Sequence, residues 1–217
     1  MHRDSVTRPQ LVWFEWERDL GGYEIEEMPG GSGGTVLTEY GPSKWVRPQG
    51  GHRVKYQPLK TPGLYRRLAQ VRKTEAGVLA FAAKYGLLGT LTQDIHSPET
   101  LSAWFDTIDV MRRLIRLAEQ RLWPLLSRSL EKAELGQMSV KMPEWDETGP
   151  KLAIVPRTLR SALYLQFAQS VTSAEKLRQC EQCGTWFTYG PGTRRRTTAK
   201  YCRGSSCRHA AYLARQR

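Results

Sequence analysis

Four cysteines stand in the last fifth of this chain of 217 residues, at the spacing of metal ligands. Cys180-Glu181-Gln182-Cys183 is followed by eighteen residues, then Cys202, four more residues, and Cys207. Two thiolates with two residues between them grip one ion when the backbone turns tightly there, and Gly184 supplies the freedom for that turn. Four sulfur ligands close a tetrahedral shell around Zn²⁺ and leave no position for a catalytic water. The expectation is one structural zinc ion held by Cys180, Cys183, Cys202 and Cys207. In so small a unit the metal should supply on the order of 10 kcal/mol of folding free energy. His209 follows two residues after Cys207 and offers a substitute ligand, but four cysteines already suffice.

The elements that must position these sulfurs follow from the residues between them. Thr185-Trp186-Phe187-Thr188-Tyr189 reads as a strand, Gly190-Pro191-Gly192 as a turn, and Thr197 to Tyr201 as the returning strand. Gly204-Ser205-Ser206 opens a helix with Cys207 in its first turn. Knuckle, hairpin and ligand-bearing helix make the layout of a treble clef.

Charge concentrates in the same module. The whole chain carries a formal +12, with 33 Lys plus Arg against 21 Asp plus Glu. Residues 176–217 hold ten Lys or Arg and one acid, Glu181, a balance of +9. The other residues hold 23 and 20, a balance of +3. A surplus so placed points to a polyanionic partner. Arg194, Arg195 and Arg196 fall in the hairpin loop, and Lys200 and Arg203 flank the third ligand. Arg208, Tyr212 and Arg215 are spaced four and three apart, so they share one helix face. Arg grips phosphate or guanine with two N–H groups, and Tyr adds a hydroxyl or a stacking ring. These eight residues form the candidate nucleic-acid surface, with double-stranded DNA as the leading partner.

The tail resembles the CGNR-type zinc finger of bacterial regulators. The residues that carry the likeness are Cys180-x-x-Cys183-Gly184-x-Trp186-Phe187, the basic stretch, Tyr201-Cys202, and Cys207 followed by a basic helix. The resemblance implies a finger that follows a mostly helical domain and binds DNA. It departs after Cys207, where the family has Gly-Asn-Arg and this chain has Arg208-His209-Ala210.

The rest of the chain must carry and present this module. Residues 11–58 are β-rich, with runs at Leu11–Trp16 and Gly34–Tyr40. Gly30-Gly31-Ser32-Gly33-Gly34 is a loose turn, because no Gly-Lys-Ser/Thr follows to make it a phosphate loop. From residue 61 the period becomes helical. One helix starts at Thr61-Pro62, and a second spans about Thr74 to Tyr85 with Gly86 at its end. The longest opens at Ser97-Pro98-Glu99 and carries Leu101, Trp104, Phe105, Ile108, Met111 and Ile115; Pro124 kinks or ends it. Arg112, Arg113 and Arg116 on that helix lie among acids and read as a solvated face. Residues 136–151 read as a linker and Leu152–Val155 as an edge strand. A fourth helix runs from about Arg157 to Thr172. The expected fold class is α+β. It comprises a β-rich segment (residues 1–60), a central helical bundle (61–175) forming one globular unit with it, and a zinc-bound treble clef (176–217).

No apolar run approaches the roughly 20 residues of a membrane span, since Lys84 and two glycines interrupt Val78–Leu91. Met1–Gln10 lacks the apolar core of a secretory signal. A cytoplasmic location follows, where thiols stay reduced and bind metal rather than pair. No catalytic motif stands out. The hairpin lacks the histidine of a His-Asn-His nuclease, and Glu26-Glu27 and Glu144, Asp146, Glu147 read as solvated acids. A non-enzymatic, zinc-dependent DNA-binding regulator is the leading expectation, with the N-terminal part sensing a ligand, forming a homodimer or meeting a protein partner. An interaction adaptor or an RNA-binding protein, with zinc purely structural, is the alternative.

Overall fold

The computed structural model describes residues 14–28, 43–90, 97–132, 138–141, 153–173, 176–190, 193, 195–202, 205–214 and 216. The runs at 11–13 and 34–40, the glycine turn at 30–34 and the acids at 144–147 lie outside these residues. Helices and small antiparallel sheets occur together, so the fold is α+β.

The N-terminal half begins with strands β1 (Trp16–Asp19), β2 (Tyr23–Met28), β3 (Ser43–Pro48) and β4 (Arg53–Tyr56). β1 pairs with β4, Trp16 opposite Tyr56. β2 pairs with β3, and β3 in turn with the two-residue β5 (Glu99–Thr100). Helix α1 (Leu64–Gln70) starts later than Thr61-Pro62 implies. The buried Gln166 side chain accounts for the delay. Its Nε2 donates to the carbonyl of Thr61 at 2.7 Å, and its Oε1 accepts from the Tyr65 amide at 3.3 Å. Residues 61–62 are thereby drawn into an approach rather than a helical turn. Helix α2 (Glu75–Tyr85) is capped by Thr74, whose hydroxyl accepts from Gly77 N, and ends at Gly86.

Helix α3 (Leu101–Glu119) also begins late, at Leu101 rather than near Ser97. Glu99 explains this. It sits in the sheet opposite Val46, 2% exposed, and its carboxylate accepts from the amides of Leu88, Gly89 and Thr90. Thr100 then caps α3, accepting from Ala103 N. Burial pushes the Glu99 carboxyl up to about 7, against the opposing pull of those amides and of Arg160. α3 stops before Pro124. Arg121 takes a left-handed conformation (φ 57°), and α4 (Trp123–Lys132) starts with Pro124 in its first turn, where the missing N–H costs nothing.

After the short pair β6 (Met138–Lys141) and β7 (Ala153–Pro156), helix α5 (Leu159–Thr172) opens with a reciprocal Thr158–Ser161 capping box. The buried core runs without a break from Phe14, Trp16 and Val46 in the strands, through Leu64, Leu68, Trp104, Ile108, Met111 and Leu114, to Leu159, Leu163 and Phe167. Strands and helices of the first 173 residues therefore share one core. Arg112 is more than a solvated cation. Its guanidinium donates to the carbonyls of Ala69 (2.8 Å) and Val71 (2.7 Å), closing the end of α1.

Candidate metal centre

The last part of the chain is built around a turn. Strand β8 (Lys176–Gln179) pairs antiparallel with β9 (Trp186–Tyr189), Gln179 opposite Trp186. Residues 180–185 are the connection, so the knuckle is the hairpin loop itself. Cys180 N donates to Thr185 O, and Gly184 N donates back to Cys180 O, both at 2.9 Å. Gly184 takes φ 67°, which a side chain would strain.

The partner of β9 is thus β8, and not Thr197–Tyr201. The stretch 197–198 forms a turn, with Ala199 N donating to Arg196 O, and no strand occurs among the described residues between β9 and the last helix. Local hydrogen bonding is the physical reason: Cys180 N to Thr185 O and Gly184 N to Cys180 O close the β8–β9 hairpin through the knuckle itself. Residues 199–202 instead run beside the knuckle. Glu181 N donates to Lys200 O at 3.1 Å, and Arg178 reaches Ala199 O at 2.8 Å. This brings in Cys202. Helix α6 (Ser205–Ala214) then delivers Cys207 from its first turn.

The four sulfurs lie within 4.8 Å of one another. Cys202 Sγ is 3.5 Å from both Cys183 Sγ and Cys207 Sγ. A tetrahedral shell with Zn–S bonds of about 2.3 Å has S···S edges of about 3.8 Å. The cluster therefore fits one thiolate-bound metal ion, and all four cysteines are free of disulfides. Cys180 is buried, Cys202 and Cys207 are half-buried, and Cys183 is exposed.

The surroundings favour thiolates on the knuckle. Burial pushes the Cys180 thiol up, but hydrogen bonds from the backbone of Cys202, Cys183 and Gln182 outweigh it, and the net shift is downward. Hydrogen bonds from the Thr185 side chain and backbone bring Cys183 down to about 6. Cys207 is pushed up to about 12 by its neighbours Cys202 and Cys183, the mutual opposition of sulfurs that a cation would relieve. Thr185 is a support that its position in the sequence did not announce. His209 is exposed and outside the cluster.

The hairpin is anchored to the body by an aromatic contact. The Trp186 ring lies against Gly63, where an added Cβ would meet Trp186 Cβ and Cγ at 2.7 Å. The Arg66 guanidinium sits 5.1 Å from the Trp186 ring centre and reaches Glu119 at 3.3 Å. Leu177 packs on the main core. No local pattern marks Gly63 or Arg66 for this task; the nearest signal is an aromatic residue directly after the knuckle.

The eight candidate nucleic-acid residues divide. Arg196 and Arg208 are exposed, and Tyr212 is 58% exposed with its hydroxyl accepting from Gln216 Nε2 at 2.6 Å. Arg195 lies over the Phe187 ring at 4.7 Å, and Lys200 pairs with Glu181 at 3.5 Å. Arg194, Arg203 and Arg215 lie outside the described residues. The acids Glu26 and Glu27 pair with Arg47 and Lys44 across β2 and β3. No described helix is long and apolar enough to cross a membrane. Comparison of the chain with protein-family models, curated proteins and solved structures finds no match. Function rests on the site.

Proposed function

We propose that this chain is a zinc-dependent DNA-binding protein of the cytoplasm, a regulator of the bacterial type. Zn²⁺ is the ion the four-thiolate set fits best, and its role there is structural, because four sulfurs fill its shell. The proposal's carrying observation is the outer face of α6. Arg208 and Tyr212 stand exposed one turn apart, directly beyond the ligand Cys207, with Arg196 exposed on the loop before it. The metal fixes the start of the helix, and the helix presents the cations. Arg194, Arg203 and Arg215 extend the same basic surface in sequence. Arg195 and Lys200 serve mainly inside the module, on Phe187 and Glu181. The body of the first 173 residues would sense a ligand or bring two copies together.

The test is duplex binding as a function of salt. Log affinity should fall with log salt at a slope of about −0.9 per phosphate contact. Arg208→Ala should shrink that slope by about one contact. Lys200→Ala should leave it nearly unchanged. Salt-insensitive or undetectable binding to duplex DNA, with binding to RNA or to a protein instead, would overturn the reading.

A further inference from the structure

The four sulfurs are not equivalent, and their differences set an order of events. Cys180 is 2% exposed, while Cys183 is open to solvent. The sulfur of Cys202 lies 3.5 Å from those of both Cys183 and Cys207, and of these two only Cys183 is open to solvent, so an oxidant reaches Cys183 first with Cys202 beside it. Cys207 enters from α6, whose inner face offers Ala210 and Ala211 beside it, while Arg208, His209, Tyr212 and Leu213 are exposed. Two alanine methyls bury little apolar surface, so α6 depends on the metal bond through Cys207 for its place.

We propose that Cys183 and Cys202 form a reversible oxidation site for a hydroperoxide, and that closing it releases the metal and frees α6. This rests on the zinc reading above. In the first step the Cys183 thiolate attacks one peroxide oxygen. The O–O bond breaks, Cys183 becomes a sulfenic acid, and hydroxide leaves. In the second step the Cys202 thiolate attacks the Cys183 sulfur, forms the S–S bond and expels a second hydroxide. Two thiolates lose two electrons, and one hydrogen peroxide becomes two hydroxides. Two of the four ligands are then gone, and Cys180 and Cys207 remain as a weak pair. The new bond ties the knuckle to residue 202, which already runs beside it through Glu181 N and Lys200 O. It does not hold Cys207. The helix bearing Arg208 and Tyr212 is released while the β8–β9 hairpin stays on the body. A dithiol reductant with zinc restores the site.

The experiment treats the zinc-bound full chain with hydrogen peroxide. Metal release is read with a chromogenic chelator, free thiols are blocked, and disulfides are mapped by mass spectrometry of unreduced peptides. The expected result is loss of about one zinc per chain, a dominant Cys183–Cys202 peptide, blocked Cys180 and Cys207, and faster tryptic cleavage at Arg208. A chain that keeps its zinc under peroxide, or a map dominated by Cys180–Cys183 or Cys202–Cys207, overturns the oxidation site. A chain isolated without zinc defeats the underlying metal reading instead, and the two failures are therefore distinct. A dimedone probe added to the zinc-bound full chain at limiting peroxide checks the order: the trapped sulfenic acid should lie on Cys183, and trapping dominated by Cys202 or Cys207 would contradict the role of Cys183.

Discussion

Replacing Gly63 with alanine should test how the metal-binding hairpin is joined to the body. Gly63 precedes α1 at φ 68°, and its missing side chain is what lets Trp186 approach. Two costs follow. A left-handed alanine costs about 1–2 kcal/mol. A methyl group 2.7 Å from Trp186 Cβ and Cγ also meets the root of a side chain, which cannot swing away, and overpacking of this kind costs about 1–3 kcal/mol. Gly63→Ala should therefore destabilise by about 2–5 kcal/mol. The second cost vanishes only if both Cβ and Cγ of Trp186 are removed, as in Trp186→Gly, whereas the first does not. Urea unfolding followed by circular dichroism of Gly63→Ala, Trp186→Gly and the double variant closes a thermodynamic cycle. The double variant should be more stable than the sum of the singles implies, by about 1–3 kcal/mol. Additive effects would refute the contact, and a Gly63→Ala cost below about 0.5 kcal/mol would refute both the contact and the backbone argument.

Other expectations concern the body. Glu99 titrates near 7 in the folded chain against an ordinary 4.5, so its contribution to stability is fully present below about 4.5 and is lost as pH rises through 7. That window is worth about 3 kcal/mol. Glu99→Gln cannot ionise, so between about pH 4.5 and pH 7 its stability should fall less than that of the wild type, measured by urea unfolding at each pH. A parallel fall would contradict the assignment. Glu99→Ala leaves the amides of Leu88, Gly89 and Thr90 without their acceptor and should cost about 3 kcal/mol or more, read by the same assay. Arg112→Ala uncaps the end of α1 and should cost about 2 kcal/mol in thermal unfolding, with Arg112→Lys restoring only part, because a single ammonium nitrogen does not reproduce the fixed spacing of Nε and Nη2 that meets the two carbonyls.

The parts legible in the sequence are those fixed by local chemistry. Thr74 and Gly86 mark both ends of α2, because a cap and a left-handed glycine act within one turn of the helix they bound. The cysteine spacing marks the knuckle, because two ligands of one ion must stand close in the chain. What escaped was decided by distant residues. The start of α3 moved because Glu99 found three amides in the loop after α2 and an opposing strand at Val46. α1 moved because Gln166 took the carbonyl of Thr61. β8 escaped because Lys-Leu-Arg-Gln has one apolar residue and so no alternation; only its closeness to the knuckle pairs it with β9. The Trp186–Gly63 contact joins residues far apart in the chain, and neither carries a local sign of the other.

The central claim is that Cys180, Cys183, Cys202 and Cys207 hold one structural zinc ion. Elemental analysis of the purified full chain, paired with native mass spectrometry, tests it most directly. The account predicts about one zinc per chain. Cys183→Ser should lose the metal and the hydrogen-exchange protection of α6 while the helices up to Thr172 keep their circular dichroism. A metal-free chain whose amides in residues 176–214 are as protected from hydrogen exchange as those of α3 would contradict it.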